Sequence, residues 1–269
     1  MKKWMLLLSF SLISTIQSEN NIEKSSEISG FYLGGFGGFG YANGTNDQVG
    51  IAFFTVGEVG IEKLTTPLNV DAKGPYIDNS FGFGGLHFGY EWRNNTKKES
   101  MFIPAIEFEG FYLAYDRTID LVNPTPLLPR HAFIDYFSMK TGTILANSVF
   151  SYENPYITPF LGIGIGSQLI WIRSADSFQI EPLEKGVNHF NGNQSGFDYA
   201  FAAQAKVGLS HTFAKHYRLY AEYRFLFTSP TTYELGPTVY PNHAPTTRWT
   251  TNFSGIYQNL FSIGIDFIW

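Results

Sequence analysis

The chain has no cysteine, which removes disulfide frameworks and thiolate metal centres from consideration. Charge is scarce. Asp, Glu, Lys and Arg make up 15% of the residues, against roughly 25% in soluble domains. The balance is acidic, with a formal net charge of −5 and no basic run, so nucleic acid is not expected as a partner. Beyond the N-terminal segment no apolar run approaches the roughly 20 residues that a membrane-crossing helix needs. What the chain does have is aromatic side chains, at 17% of its residues, and a mean hydropathy close to zero. Low charge, many aromatics and middling hydropathy together fit a transmembrane β-barrel, in which only every second strand residue meets lipid.

The N-terminus reads as a targeting segment. Lys2 and Lys3 precede a mostly apolar stretch from Trp4 to Ile16, and small residues lead to a polar turn at Glu19. This is the order of a secretory signal peptide, assigned to residues 1–18. Residues 19–29 are then a short periplasmic segment and 30–269 the barrel. No cysteine sits near the cut, so no lipid anchor is expected there.

Alternation with period two, the strand period, recurs eight times. The segments are Gly30–Tyr41, Phe81–Trp92, Met101–Tyr112, Ile134–Phe150, Phe160–Ile172, Tyr199–Phe213, Tyr217–Phe227 and Asn259–Trp269. In the fourth, Phe137, Met139, Leu145 and Val149 share a phase, which would put Lys140 on the inward row. The connections alternate. Ala42–Ser80, Leu113–Phe133, Arg173–Asp198 and Thr228–Gln258 are long, and the three between them are short. Outer-membrane barrels have short periplasmic turns and long external loops, so both ends are expected to be periplasmic. Pro104 and Pro159 fall at strand starts, where a ladder can begin late. Phe31, Tyr90, Trp92, Phe102, Phe213, Tyr217 and Trp269 are expected in one aromatic belt, and Tyr41, Tyr112, Trp171, Tyr199 and Phe227 in the other. The fold class is therefore all-β: a closed antiparallel barrel of eight strands.

Three stretches carry a family likeness: Phe31-Tyr32-Leu33-Gly34-Gly35, Pro155–Gly162 and the terminal Phe261–Trp269. With them the chain resembles the opacity and OmpA-like family of small outer-membrane barrels, barrel domain only. The resemblance implies eight strands. It also implies that the last strand, ending in Trp269, is read by the barrel-assembly machinery.

Catalytic and cofactor signals are weak. Gly35-Phe36-Gly37-Gly38-Phe39-Gly40 matches the spacing of a dinucleotide fingerprint, but that motif needs a helix after it and none follows. The six histidines, His87, His131, His189, His211, His216 and His243, form no zinc-peptidase pattern. Ser210 and His211 are neighbours on a strand and point to opposite faces, so they do not form a nucleophile–base pair. No enzyme activity, cofactor or metal site is expected. The chain reads as a monomeric outer-membrane surface protein in contact with lipid and lipopolysaccharide. Its loops would bind a host or environmental ligand, with Tyr233, Tyr240 and Trp249 exposed on the last of them. A narrow porin-like channel is the alternative, and a lipid-modifying enzyme a remote one. Inward-facing Arg224 is expected to meet Glu107 and Glu109 across the axis and plug the lumen. Glu91, Lys140, Lys206, Arg218, Glu222 and Asp266 would be the other inward charges.

Overall fold

The computed structural model describes residues 30–53, 67–78, 80–93, 102–154, 156–214, 216–241 and 243–269. The expected signal peptide, the 19–29 segment and most of the first short turn lie outside them. In chain order the strands are β1 (Gly30–Asn43), β2 (Thr45–Ala52), β3 (Leu68–Asp78), β4 (Ser80–Glu91), β5 (Phe102–Val122) and β6 (Ala132–Tyr152). They continue with β7 (Thr158–Glu181), β8 (Gly196–Phe213), β9 (Tyr217–Thr228), β10 (Thr231–Leu235), β11 (Trp249–Phe253) and β12 (Ile256–Ile268).

Eight strands close a ring in the order β1, β4, β5, β6, β7, β8, β9, β12 and back to β1, every pairing antiparallel. Closure leaves no open edge in the hydrocarbon, which is what makes a β-structure viable there. The outward rows are apolar. Ile106, Phe108 and Tyr112 of β5 are exposed, as are Leu161, Ile163 and Ile165 of β7 and Phe261, Ile263 and Ile265 of β12. Aromatics gather at both ends of this band. Phe31 packs on Tyr90 at 4.9 Å and Phe102 on Tyr152 at 5.4 Å near the chain ends. Trp171 packs on Phe197 at 5.4 Å at the opposite end. Pro104 and Pro159 lie within the first three residues of β5 and β7 and face outward.

In β6 the expected phase is reversed. Phe137, Met139, Leu145 and Val149 face the interior and Lys140 faces out. Both rows of this strand carry apolar residues, so period alone does not decide which row meets lipid. Lys140 pairs in register with Ala114, at the height where the apolar band ends.

Among the described residues the long connections are also not open loops. β5, β6 and β7 run on beyond the band, and β3, β2, β11 and β10 continue the wall above the ends of β4, β1, β12 and β9. The result is a cap in which four short strands replace, one for one, the four that stop. Thr232 N donates to Asp198 Oδ2 at 3.2 Å and closes its last gap, between β10 and β8. β2 and β11 pair directly above the β1–β12 seam, where Thr45 N donates to Ser254 Oγ at 2.9 Å and Ser254 N to Thr45 O at 3.0 Å. Between barrel and cap, β7 carries an irregularity at Ser174, whose φ is +54°. Below it the even residues Ile170 and Ile172 point inward, and above it the odd residues Ala175, Ser177 and Gln179 do. One extra residue re-phases the strand, as a bulge does.

Candidate functional site

The interior of the membrane band is polar at the end bearing the termini. Glu107 and Glu109 of β5 face β8 and β9 across the axis. Arg224 Nη1 reaches Glu109 Oε2 at 2.9 Å, and its Nη2 reaches Glu222 Oε1 at 2.5 Å. Glu107 is taken by Lys206 Nζ at 2.5 Å, by Asn147 Nδ2 at 3.2 Å and by the Tyr32 hydroxyl at 3.0 Å. The expected plug is therefore present with one change of partner: Arg224 takes Glu109, and Lys206 takes Glu107. Gln204 Nε2 donates to Glu109 and, at 2.7 Å, to Asn147 Oδ1, which ties the two pairs together. Nearer the termini Arg218 bridges Asp266 and Glu91, each at 2.7 Å, and Arg93 caps Glu91 at 2.8 Å. His87 contacts Asp266 at 2.6 Å. Gly34 makes room for that contact, since a Cβ there would fall on both side chains.

All of these lumen carboxylates and cations are buried except the rim residue Arg93 and the partly buried Arg218. A buried charge without a partner costs several kcal/mol, whereas a hydrogen-bonded network largely offsets its own desolvation. The network thus holds the barrel in one arrangement and fills it. The cavity among Tyr32, His87, Glu107, Lys206 and Arg218 has a volume of ≈ 30 Å³, space for about one or two waters. Further along the axis Arg224 stacks on Phe36 at 4.1 Å. Gln168, Thr143, Thr228 and Gln258 then form a hydrogen-bonded layer at 2.9–3.2 Å. The cap core of Leu113, Ile119, Phe133, Phe137, Trp249 and Phe253 lies beyond.

The expectation of exposed aromatics on the last long connection is corrected. Tyr233 and Trp249 are only 3% and 1% exposed, and the half-buried Tyr240 accepts from Asn188 N at 3.2 Å. Each large aromatic gains about 1.5–3 kcal/mol on burial, so a connection this rich in them folds inward. The β7–β8 connection also enters the cap, with Phe190 fully buried beside Phe137.

Ser210 and His211 face opposite ways. Ser210 Oγ donates to Thr158 O at 3.2 Å inside, while His211 contacts Tyr156 O at 2.7 Å outside. The glycine-rich stretch is strand β1, paired on both sides.

Sequence reasoning missed one cluster. Glu184, His189 and His243 meet in the cap with ligating atoms all within 4.8 Å of one another. His189 and His243 come from connections 54 positions apart and show no local motif; only the folded cap joins them. His131 lies beside them, its Nε2 donating to Gln179 Oε1 and its Nδ1 accepting from Asn123 Nδ2, each at 2.9 Å, and burial pushes it below the usual imidazole range.

No protein-family model matches the sequence, and no curated protein matches it. Solved structures do. Neisserial surface protein A is 14% identical with a TM-score of 0.42, over 90% of this chain and 98% of that one. The outer membrane protein OprG from Pseudomonas aeruginosa is 12% identical with a TM-score of 0.44, over 89% and 98%. The attachment invasion locus protein Ail of Yersinia pestis, in complex with the heparin analogue sucrose octasulfate, is 13% identical with a TM-score of 0.35, over 87% and 99%. At these identities and TM-scores the likenesses carry no argument about ligand or activity.

Proposed function

We propose that this protein is a surface protein of a bacterial outer membrane, with a closed barrel as anchor and the folded cap as the part that meets the outside. In this reading it is neither a channel nor an enzyme. The Arg224–Glu109 contact across the axis carries the proposal. The polar layer and the cap core are stacked on it along the axis. Lipid and lipopolysaccharide surround the apolar band, the assembly machinery reads the last strand up to Trp269, and the protein works as a monomer. An adhesive or antigenic role falls to the outer surface of the cap. The test is planar-bilayer recording of refolded protein together with protease treatment of intact cells. The expected result is no steady conductance and cleavage confined to the cap. A large steady conductance in the unmodified protein establishes the channel instead.

A further inference from the structure

The Glu184 cluster is built differently from the lumen network. His189 Nδ1 lies 3.0 Å from Ser177 O, and His243 Nδ1 lies 2.6 Å from Ala244 O. A carbonyl only accepts, so in each ring Nδ1 carries the proton. Nε2 of both rings then faces the same atom, Glu184 Oε2, at 3.3 Å in each case. That oxygen is buried and has no hydrogen-bond donor. With neutral rings, both Nε2 lone pairs meet one carboxylate oxygen with no proton between them. Such an arrangement needs positive charge at its centre: two additional protons, or one metal ion.

The spacing favours the ion. Ligands about 2.0–2.1 Å from a tetrahedral zinc stand roughly 3.3–3.4 Å from each other, which is the Nε2–Oε2 separation here. Backbone carbonyls on the distal ring nitrogens are the usual outer partners of metal-bound histidine. Among the described residues, the ion pairs of Glu184 are with these two histidines. The second grouping of possible ligands, His87 with Glu107 and Glu109, is already occupied by Lys206 and Arg224. A cavity of ≈ 10 Å³ adjoins the cap cluster, about the size of one water.

We infer that Glu184, His189 and His243 bind one divalent transition-metal ion of the zinc type, with water as fourth ligand. The ion fastens the β7–β8 connection, which carries Glu184 and His189, to the β10–β11 connection, which carries His243. The site is a clasp that adds to the hydrogen bonds already joining these two connections, such as Gly192 N to Pro237 O at 3.0 Å and Gly236 N to Asn193 O at 2.8 Å.

The test uses untagged full-length protein refolded in detergent and stripped with chelator. Titration with zinc should show one equivalent bound. Cobalt in its place should give the strong visible absorption of tetrahedral coordination. Even outer partners are worth about 10–100-fold in affinity, so His243→Ala and Glu184→Gln should each weaken binding by more than roughly 100-fold. Zinc should also slow proteolysis of the 182–195 and 236–248 connections, and chelator should reverse this. Each variant is first checked for the gel-mobility shift of a folded barrel. If one fails, His189→Gln replaces it. Absence of zinc binding by folded wild-type protein overturns the inference and leaves the protonated cluster. Zinc binding that survives in folded His243→Ala and Glu184→Gln also overturns it.

Discussion

Strand β5 passes through two regions whose insides and outsides are exchanged. Up to about Tyr112 its outward row is Ile106, Phe108 and Tyr112, and its inward row holds Glu107 and Glu109. From Asp116 to Asp120 the outward row is Asp116, Thr118 and Asp120, and the inward row beside it is Tyr115, Arg117, Ile119 and Leu121. Strand, pairing and wall continue unbroken, and only the solvent changes. In the band lipid takes the apolar side chains and the lumen takes the charges. In the cap water takes the outward polar side chains, and the interior packs aromatic and aliphatic side chains around a few buried polar ones such as Arg117 and Asp135. One closed wall is therefore stabilised by an ion-pair network at one end and by aromatic packing at the other.

The contrast can be broken most strongly at Arg224. Arg224→Ala leaves Glu109 and Glu222 buried beside an absent cation, a loss of about 3–5 kcal/mol. The whole barrel should lose stability, seen as a lower temperature for the gel-mobility shift. The double variant with Glu109→Ala should lose less than the sum of the two single changes. Strict additivity would mean the pair does not couple across the lumen.

The cap offers the matched change. Ile119→Ala removes part of a packed core and should cost about 2–5 kcal/mol, but the loss should stay local. Proteolysis and hydrogen exchange should rise in residues 231–253 while the barrel keeps its heat resistance. A fall in barrel stability equal to that of Arg224→Ala would make the two regions one cooperative unit.

A smaller effect separates them by pH. Asp135 faces the cap interior, neither of its carboxylate oxygens has a hydrogen-bond donor, and burial pushes it up to about 8. The folded cap thus holds a proton that the unfolded chain releases near pH 4. This contribution is complete below about pH 4 and is lost as pH rises through about 8. Cap stability, followed by proteolysis, should decline over that window, and Asp135→Asn should flatten the decline. A slope that Asp135→Asn leaves unchanged would assign it to another group.

The smallest change is the control. Arg130 and Glu181 pair at 2.8 Å with both side chains about half exposed, and such a pair is worth about 0–1 kcal/mol. Arg130→Ala should leave the melting of cap and barrel almost unmoved. A large loss there would show that burial does not set the value of an ion pair in this molecule.

The exchange of faces along β5 also explains what was legible in the sequence. The eight ring strands announce themselves by alternation against lipid, and β6, whose two rows are both apolar, is the one whose expected facing is reversed. Periodicity places the end of β5 at Tyr112, because there alternation persists while its sense reverses. The strands of the cap read as loops for a related reason. β10 and β11 are five residues each, too short for a period to stand out. Within the lumen, the Arg224–Glu109 contact followed from phase and ring order, because strands three and seven must oppose each other. The choice of Lys206 by Glu107 did not follow, since it depends on how two long side chains divide one cross-section. The Glu184 cluster was beyond reach, because its members come together only after the cap closes.

The pairing of β2 with β11 has a consequence for order in time. Thr45 and Ser254 are 209 positions apart and flank the place where the first and last strands of the ring meet. They come together only when segments from both halves of the polypeptide are present, beside the β1–β12 pairing. A latch of this kind is tied last, and once tied it lies across the line along which the cylinder would part. Sideways escape of a lipid or peptide between first and last strands would then have to undo two fastenings in sequence, the outer one first.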